Sequence, residues 1–137
     1  VAVNKLFWQS EKDRFGDIYT VPDGMMVKGI FVRKDWCEEA GIELDLEKGW
    51  TYDEYFDVVE KLTDKEKKHY GVSYRGARGA FDPLMTYLQN YTGGNTYDGE
   101  GNILIKSDEC LEAFKKWTGL YLNGYAPEDS INHHEYS

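Results

Sequence analysis

The sequence is poor in the residues that mark several common classes of protein. Two of its 137 residues are cysteine, so the chain is not a disulfide-rich scaffold. No run approaches the roughly 18 consecutive apolar residues that a membrane-spanning helix needs. Basic residues are also scarce, since 16 lysines and arginines stand against 25 aspartates and glutamates and give a formal net charge of −9. This acidity argues against nucleic acid as a partner, because a phosphate backbone calls for a clustered basic surface.

Motifs that usually carry catalysis or metal binding are missing from the sequence as well. His133 and His134 are adjacent, which does not place two ligands on one face of a helix. The acidic stretch 98–102 begins like a calcium-binding loop but lacks the glycine and the spaced glutamate that such a loop requires. We therefore expect no metal, no cofactor and no enzymatic activity. Cys37 and Cys110 are interpreted as small apolar core residues.

The pattern of apolar residues predicts strands that alternate with helices, in one domain over residues 1–137. This alternation is typical of an α/β fold, here with helices packed on a small mixed sheet. Two strands are predicted around a turn at residues 22–24, within 18–32, and a third at 70–74. Helices are predicted at 36–40 and 52–62, after an N-cap at Asp82 followed by Pro83, and after Ser107.

Four motifs follow one another in the first half of the chain. They are Tyr-Thr-Val-Pro at 19–22, an apolar strand ending in Arg-Lys-Asp at 33–35, Glu-Ala-Gly-Ile at 39–42, and Trp-Thr-Tyr-Asp-Glu at 50–54. Their order resembles that of the family 1 extracellular solute-binding proteins, the sugar receptors of bacterial ABC importers. Arg33 stands where that family usually has asparagine, and Trp50 precedes Thr51 instead of following it. The resemblance extends from about Tyr19 to about Gly124.

The resemblance implies a lobe of a periplasmic-binding-protein-like, type II fold. The chain would be the C-terminal lobe of a two-lobed receptor, whose partners are the missing N-terminal lobe, a sugar ligand and an ABC transporter permease. Binding would be non-catalytic, with cleft closure by hinge motion. The protein would be extracytoplasmic, either periplasmic or a cell-surface lipoprotein, and would meet the membrane only through a lipid anchor outside this fragment.

The segment from Tyr74 to Asp82 is the first candidate binding site. It follows a predicted strand and precedes a helix, and ligands of open α/β sheets bind near such strand ends. Amides at a helix start can donate hydrogen bonds to a ligand oxygen. The side chains suit a sugar, which needs a flat apolar surface and polar partners for its hydroxyls. The predicted ligand-binding residues here are Arg75, Arg78, Phe81 and Asp82.

In the family that this chain resembles, the loop between the matching strand and helix supplies ligand contacts of the second lobe. By position, the resemblance implies this role for Arg78, Phe81 and Asp82. The alternative interpretation is an ordinary connection with solvated arginines, in which Phe81 packs onto the helix. Arg75 and Arg78 leave open an anionic sugar such as a uronate, whereas the family favours a neutral glycan.

The resemblance implies a second candidate site at residues 22–26, because in that family the chain crosses from the first lobe near this point and the following residues line the cleft. Asp23 could accept hydrogen bonds from sugar hydroxyls, and Met26 could supply an adaptable apolar contact. The alternative there is a turn followed by a buried methionine pair.

Two alternative functions also remain open for the whole chain. One is a carbohydrate-active enzyme domain that uses two of the many carboxylates, and the other is an interaction module without a small ligand.

Overall fold

The computed structural model describes residues 5–21, 29–45 and 47–132, and inside helices it leaves the side chains of residues 5–7, 10, 77 and 78 undescribed. The chain divides into two compact units, Val1–Val32 and Arg33–Ser137. In the first unit, helix α1 spans Lys5–Phe15. Residues 18–21 and 29–32, where two strands were predicted, form no strand, and Phe31 is fully exposed. The predicted turn at residues 22–24 lies outside the described residues.

The described part of the second unit, residues 33–45 and 47–132, is built from helices. Its α-helices are α2 (Lys34–Glu39), α3 (Tyr52–Leu62), α4 (Ala77–Leu88) and α5 (Asp108–Leu122). Three short 3₁₀ helices, Gln89–Tyr91, Leu104–Lys106 and Glu128–Asn132, lie between or after them.

The predicted α/β fold, with helices packed on a small mixed sheet, is wrong for the described part of the chain. Strand pairing there is confined to two isolated antiparallel bridges, Asp64 to His69 and Tyr97 to Ile103. The predicted strand at 70–74 has no neighbouring strand among the described residues, and the Val72 N–H donates instead to the carbonyl of Tyr125 at 3.2 Å. Apolar alternation identifies a segment that could pair, but a sheet forms only when a partner strand supplies the main-chain hydrogen bonds.

Local sequence signals placed the start of α3 and α5 correctly. The Thr51 hydroxyl accepts a hydrogen bond from the Glu54 N–H at 3.2 Å, and the Glu54 carboxylate accepts one from the Thr51 N–H at 2.8 Å, which completes a capping box. The Ser107 hydroxyl accepts from the Cys110 N–H at 3.2 Å and caps α5. Both helices also carry acidic residues in their first turn, where the helix dipole favours them.

Helix α4 begins earlier than predicted. Gly76 is its N-cap, so Asp82 is inside the helix and does not cap it, and Pro83 lies in the helix interior. A proline there removes one main-chain hydrogen bond. The Asp-Pro pair therefore marks the second turn of α4 and not its beginning.

The core of this unit forms around Tyr87. This side chain is 1% exposed, and its ring centroid lies 4.6 Å from that of Tyr52, 5.5 Å from that of Phe56 and 5.3 Å from that of Trp117. Its hydroxyl is 3.2 Å from the hydroxyl of Tyr91, and burial raises the pKa of Tyr87 above its ordinary value. Aromatic side chains from α3, α4 and α5 thus meet at one residue.

Both cysteines are buried, as predicted, and neither forms a disulfide. Cys110 belongs to the cluster around Tyr87, together with Leu88 and Ala113.

None of the described helices combines the length and the apolar composition that a membrane-spanning helix needs.

Replacing Ser107 by alanine should lower the free energy of unfolding by about 1 kcal/mol, because the Cys110 N–H loses its cap. Ser107→Asp is the matched control and should retain most of the stability, since its carboxylate can accept the same bond. Urea unfolding followed by circular dichroism measures both. Equal losses in the two variants would contradict the capping role.

Glu54 should contribute a pH-dependent part of the stability. Hydrogen bonds from the Thr51 N–H, Lys48 and the Thr51 hydroxyl lower its pKa from 4.5 to about 2. Its contribution is therefore fully present above about pH 4.5 and is lost as the pH falls towards 2. We expect the stability difference between the wild type and Glu54→Gln to shrink between about pH 6 and pH 3 in urea unfolding. A difference independent of pH would contradict this assignment.

Candidate functional site

The candidate loop, Tyr74–Asp82, includes the first residues of α4, and it is held at its beginning by the last turn of α5 and the chain that follows. The Tyr74 ring lies against the ring of Tyr121, with 5.8 Å between centroids. The Tyr121 hydroxyl in turn donates to the carbonyl of Glu128 at 2.8 Å. The loop is therefore packed against other elements where it enters α4.

Gly76 makes the closest approach in the candidate loop. A Cβ atom at this position would lie 1.6 Å from the carbonyl oxygen of Ile131. Its backbone angles, φ −87° and ψ −177°, are open to any residue, so the approach of Ile131 is what requires glycine. The neighbour that Gly76 admits is therefore the protein's own main chain.

The start of α4 combines several groups that donate hydrogen bonds. Gly76 offers no side-chain cap, and no acidic residue lies in the first turn of the helix. The Arg75 guanidinium lies across this turn, because a Cβ atom at Gly79 would be 3.1 Å from its Nε. Main-chain amides and a guanidinium together favour an oxygen-rich or anionic group as their neighbour.

Phe81 and Asp82 follow on the exposed side of the same helix. The Phe81 ring is 60% exposed, and Asp82 is also exposed. The Asp82 carbonyl accepts a hydrogen bond from the Thr86 hydroxyl at 2.8 Å, as expected inside a helix. Helix α4 thus carries both predicted residues within two turns of Arg75. The side chain of Arg78 and all of Asp23 and Met26 lie outside the described residues.

Among the described residues, Trp36 and Trp117 pack against other side chains. The Trp36 ring stacks on His69, with 4.0 Å between centroids and planes 13° apart, and the Arg33 guanidinium lies 4.8 Å from the same ring. Arg33 also donates to Asp35 through Nε at 2.9 Å, and this contact holds the pKa of Asp35 below its ordinary value. Arg33, where the solute-binding family usually has asparagine, therefore contacts two side chains in the first turn of α2. Trp117 packs in the core, as predicted.

Two open grooves lie elsewhere on the second unit. One, of about 780 Å³, runs between Tyr87 and Tyr91 and the first half of α5. Its lysines are engaged, since Lys115 contacts Glu112 at 2.7 Å and Lys116 pairs with Asp53. The other, of about 370 Å³, is mostly apolar and lies between α4 and α5. Sequence reasoning did not single out either groove, and the candidate loop lines neither.

The described residues contain no group of three or more histidine, cysteine, aspartate or glutamate side chains that could hold a metal ion.

The chain matches the sequence model of the family described as bacterial extracellular solute-binding protein over residues 2–135, and it belongs to this family. The resemblance inferred from its motifs is confirmed. The chain is also 28% identical, over 104 residues, to YcjN of Escherichia coli (strain K12), whose name describes an ABC transporter periplasmic-binding protein. That alignment covers 75% of this chain and 23% of YcjN, so the chain spans about a quarter of this relative. No solved structure gave a significant match.

Substitution of Phe81 by alanine should change the free energy of unfolding by less than about 0.5 kcal/mol, because most of the ring is in solvent. Leu120→Ala, at a core position that is 2% exposed, is the reference and should cost about 2–5 kcal/mol. Urea unfolding of both variants makes the comparison. A loss at Phe81 as large as that at Leu120 would show that the ring packs onto the helix and offers no ligand surface.

Proposed function

We propose that this chain is one lobe of a two-lobed solute receptor for an ABC importer, and that the solute is a sugar or short oligosaccharide. Membership of the solute-binding family over residues 2–135 is the observation that carries the proposal. The name of YcjN, an ABC transporter periplasmic-binding protein, supports the link to an importer and to an extracytoplasmic location.

The candidate loop is the proposed ligand surface of this lobe. The exposed face of Phe81 can pack against the C–H groups of a sugar ring. Arg75, Arg78 and the amides at the start of α4 can donate hydrogen bonds to hydroxyl or ring oxygens, and Asp82 can accept them. A neutral glycan needs both kinds of partner, whereas a uronate would use the donors more strongly.

The receptor would bind without breaking bonds. A second lobe, on the other side of the ligand, would supply the remaining contacts, and a hinge motion would close the two lobes on the sugar. The closed form would deliver the sugar to a membrane permease. The protein would act in the periplasm or at the cell surface as a lipoprotein.

The test uses the full-length product of the gene that encodes this chain. Thermal-shift assays against mono- and oligosaccharides, both neutral and uronic, should find one class that raises Tm, and calorimetry should then give its affinity. A ligand at 100 times its Kd adds about 2.7 kcal/mol to stability, which is a readily measured shift. Phe81→Ala and Arg78→Ala should each weaken binding about tenfold, the loss of one good contact.

Phe114→Ala is the matched control, because Phe114 is also an exposed phenylalanine of the second unit but lies outside the candidate loop. Equal binding losses in Phe81→Ala and Phe114→Ala would place the site elsewhere. A panel in which no sugar raises Tm would contradict the sugar assignment.

A further inference from the structure

We propose that the segment Tyr121–Asn132 positions the candidate loop, through a clasp made by Tyr121, Tyr125 and Ile131. The inference rests on the proposed function, because it assigns a positioning role at that same site. Its physical basis is a set of contacts made by residues 72, 74 and 76, which are two positions apart in the chain. Each contact joins the loop or the residues before it to the chain at the end of α5 or beyond.

The first two contacts tie the approach to the loop. The Val72 N–H donates to the Tyr125 carbonyl at 3.2 Å, and two residues later the Tyr74 ring meets the Tyr121 ring. The Tyr121 side chain makes two contacts. Its ring packs against the Tyr74 ring, and its hydroxyl donates a hydrogen bond to the Glu128 carbonyl at 2.8 Å. One side chain therefore couples the loop to the 3₁₀ helix Glu128–Asn132.

The third contact lies two residues further on, at Gly76. Its missing side chain leaves room for Ile131, whose carbonyl oxygen and carbon would be 1.6 Å and 2.4 Å from a Cβ atom. The clasp therefore contacts residues 72, 74 and 76, through one main-chain hydrogen bond, one ring contact and one close main-chain approach.

The segment that carries the clasp is anchored at two buried residues. Ala126 is 2% exposed and Ser130 1% exposed, and the Ser130 N–H donates to the Pro127 carbonyl at 3.1 Å. These two anchors can fix the position of the residues beside them. Because Gly76 is also the N-cap of α4, its position sets where the first amides of α4, and then Phe81, are presented.

The test is hydrogen–deuterium exchange measured by mass spectrometry on the full-length product, comparing the wild type with Gly76→Ala. A methyl group at residue 76 would overlap Ile131, so exchange should rise about tenfold in peptides covering 72–82 and 125–132. Exchange in α3 should stay unchanged. Gly99→Ala is the matched control, because a Cβ atom there meets nothing within 4 Å, and it should leave all peptides unchanged.

Tyr121→Phe keeps the ring and removes one hydrogen bond, so it tests the clasp even if Gly76→Ala does not fold. Exchange at 72–82 and 125–132 should then rise about fivefold, the effect of one typical hydrogen bond. Unchanged exchange at 72–82 in Tyr121→Phe, or in a folded Gly76→Ala protein, would overturn the proposal. A rise spread equally over α3 would also overturn it, because that pattern indicates general destabilisation.

The exchange experiment needs no ligand, so it separates the clasp from the sugar assignment. If no sugar raises Tm but exchange rises only at 72–82 and 125–132, the sugar assignment is refuted and the clasp is supported. Where a sugar does bind, Tyr121→Phe should weaken it several-fold although Tyr121 is not among the proposed ligand residues, whereas Gly99→Ala should bind normally.

Discussion

The packing of α4 against α3 and α5 around Tyr87 is the contact on which the rest of the second unit depends. The ring is buried among Tyr52, Phe56 and Trp117, so removing it would open a cavity at the point where three helices meet. The candidate loop enters α4 about three turns before this residue. Its exposed side chains can therefore be presented on a helix whose far end is fixed by the core.

Helix α4 differs from α3 and α5 in the chemistry of its first turn. Helices α3 and α5 begin with a hydroxyl cap and with acidic residues, which interact favourably with the positive end of the helix dipole. Helix α4 begins with a glycine, without an acidic first turn, and beneath the Arg75 guanidinium. This end of the helix suits a ligand oxygen, as the proposed sugar site requires.

The family and the fold were predicted from different kinds of sequence information, and only the first prediction was confirmed. Motifs along the chain identified the family, because each is carried by neighbouring residues. The mixed sheet was a prediction about pairing between distant segments, and alternation within 70–74 says nothing about which strand lies beside it. Val72 instead donates to Tyr125, a partner more than fifty residues away that no local pattern indicates.

The sequence by itself determined the family, the extent of α3, the start of α5 and the burial of both cysteines. Helix capping acts over three or four residues, so Thr51 and Ser107 could be recognised without a structure. The tertiary structure alone decided that α4 begins at Gly76, that Arg33 and His69 cover Trp36, and that Ile131 meets the candidate loop. These features depend on surfaces brought together by folding, and their partners are distant in the chain.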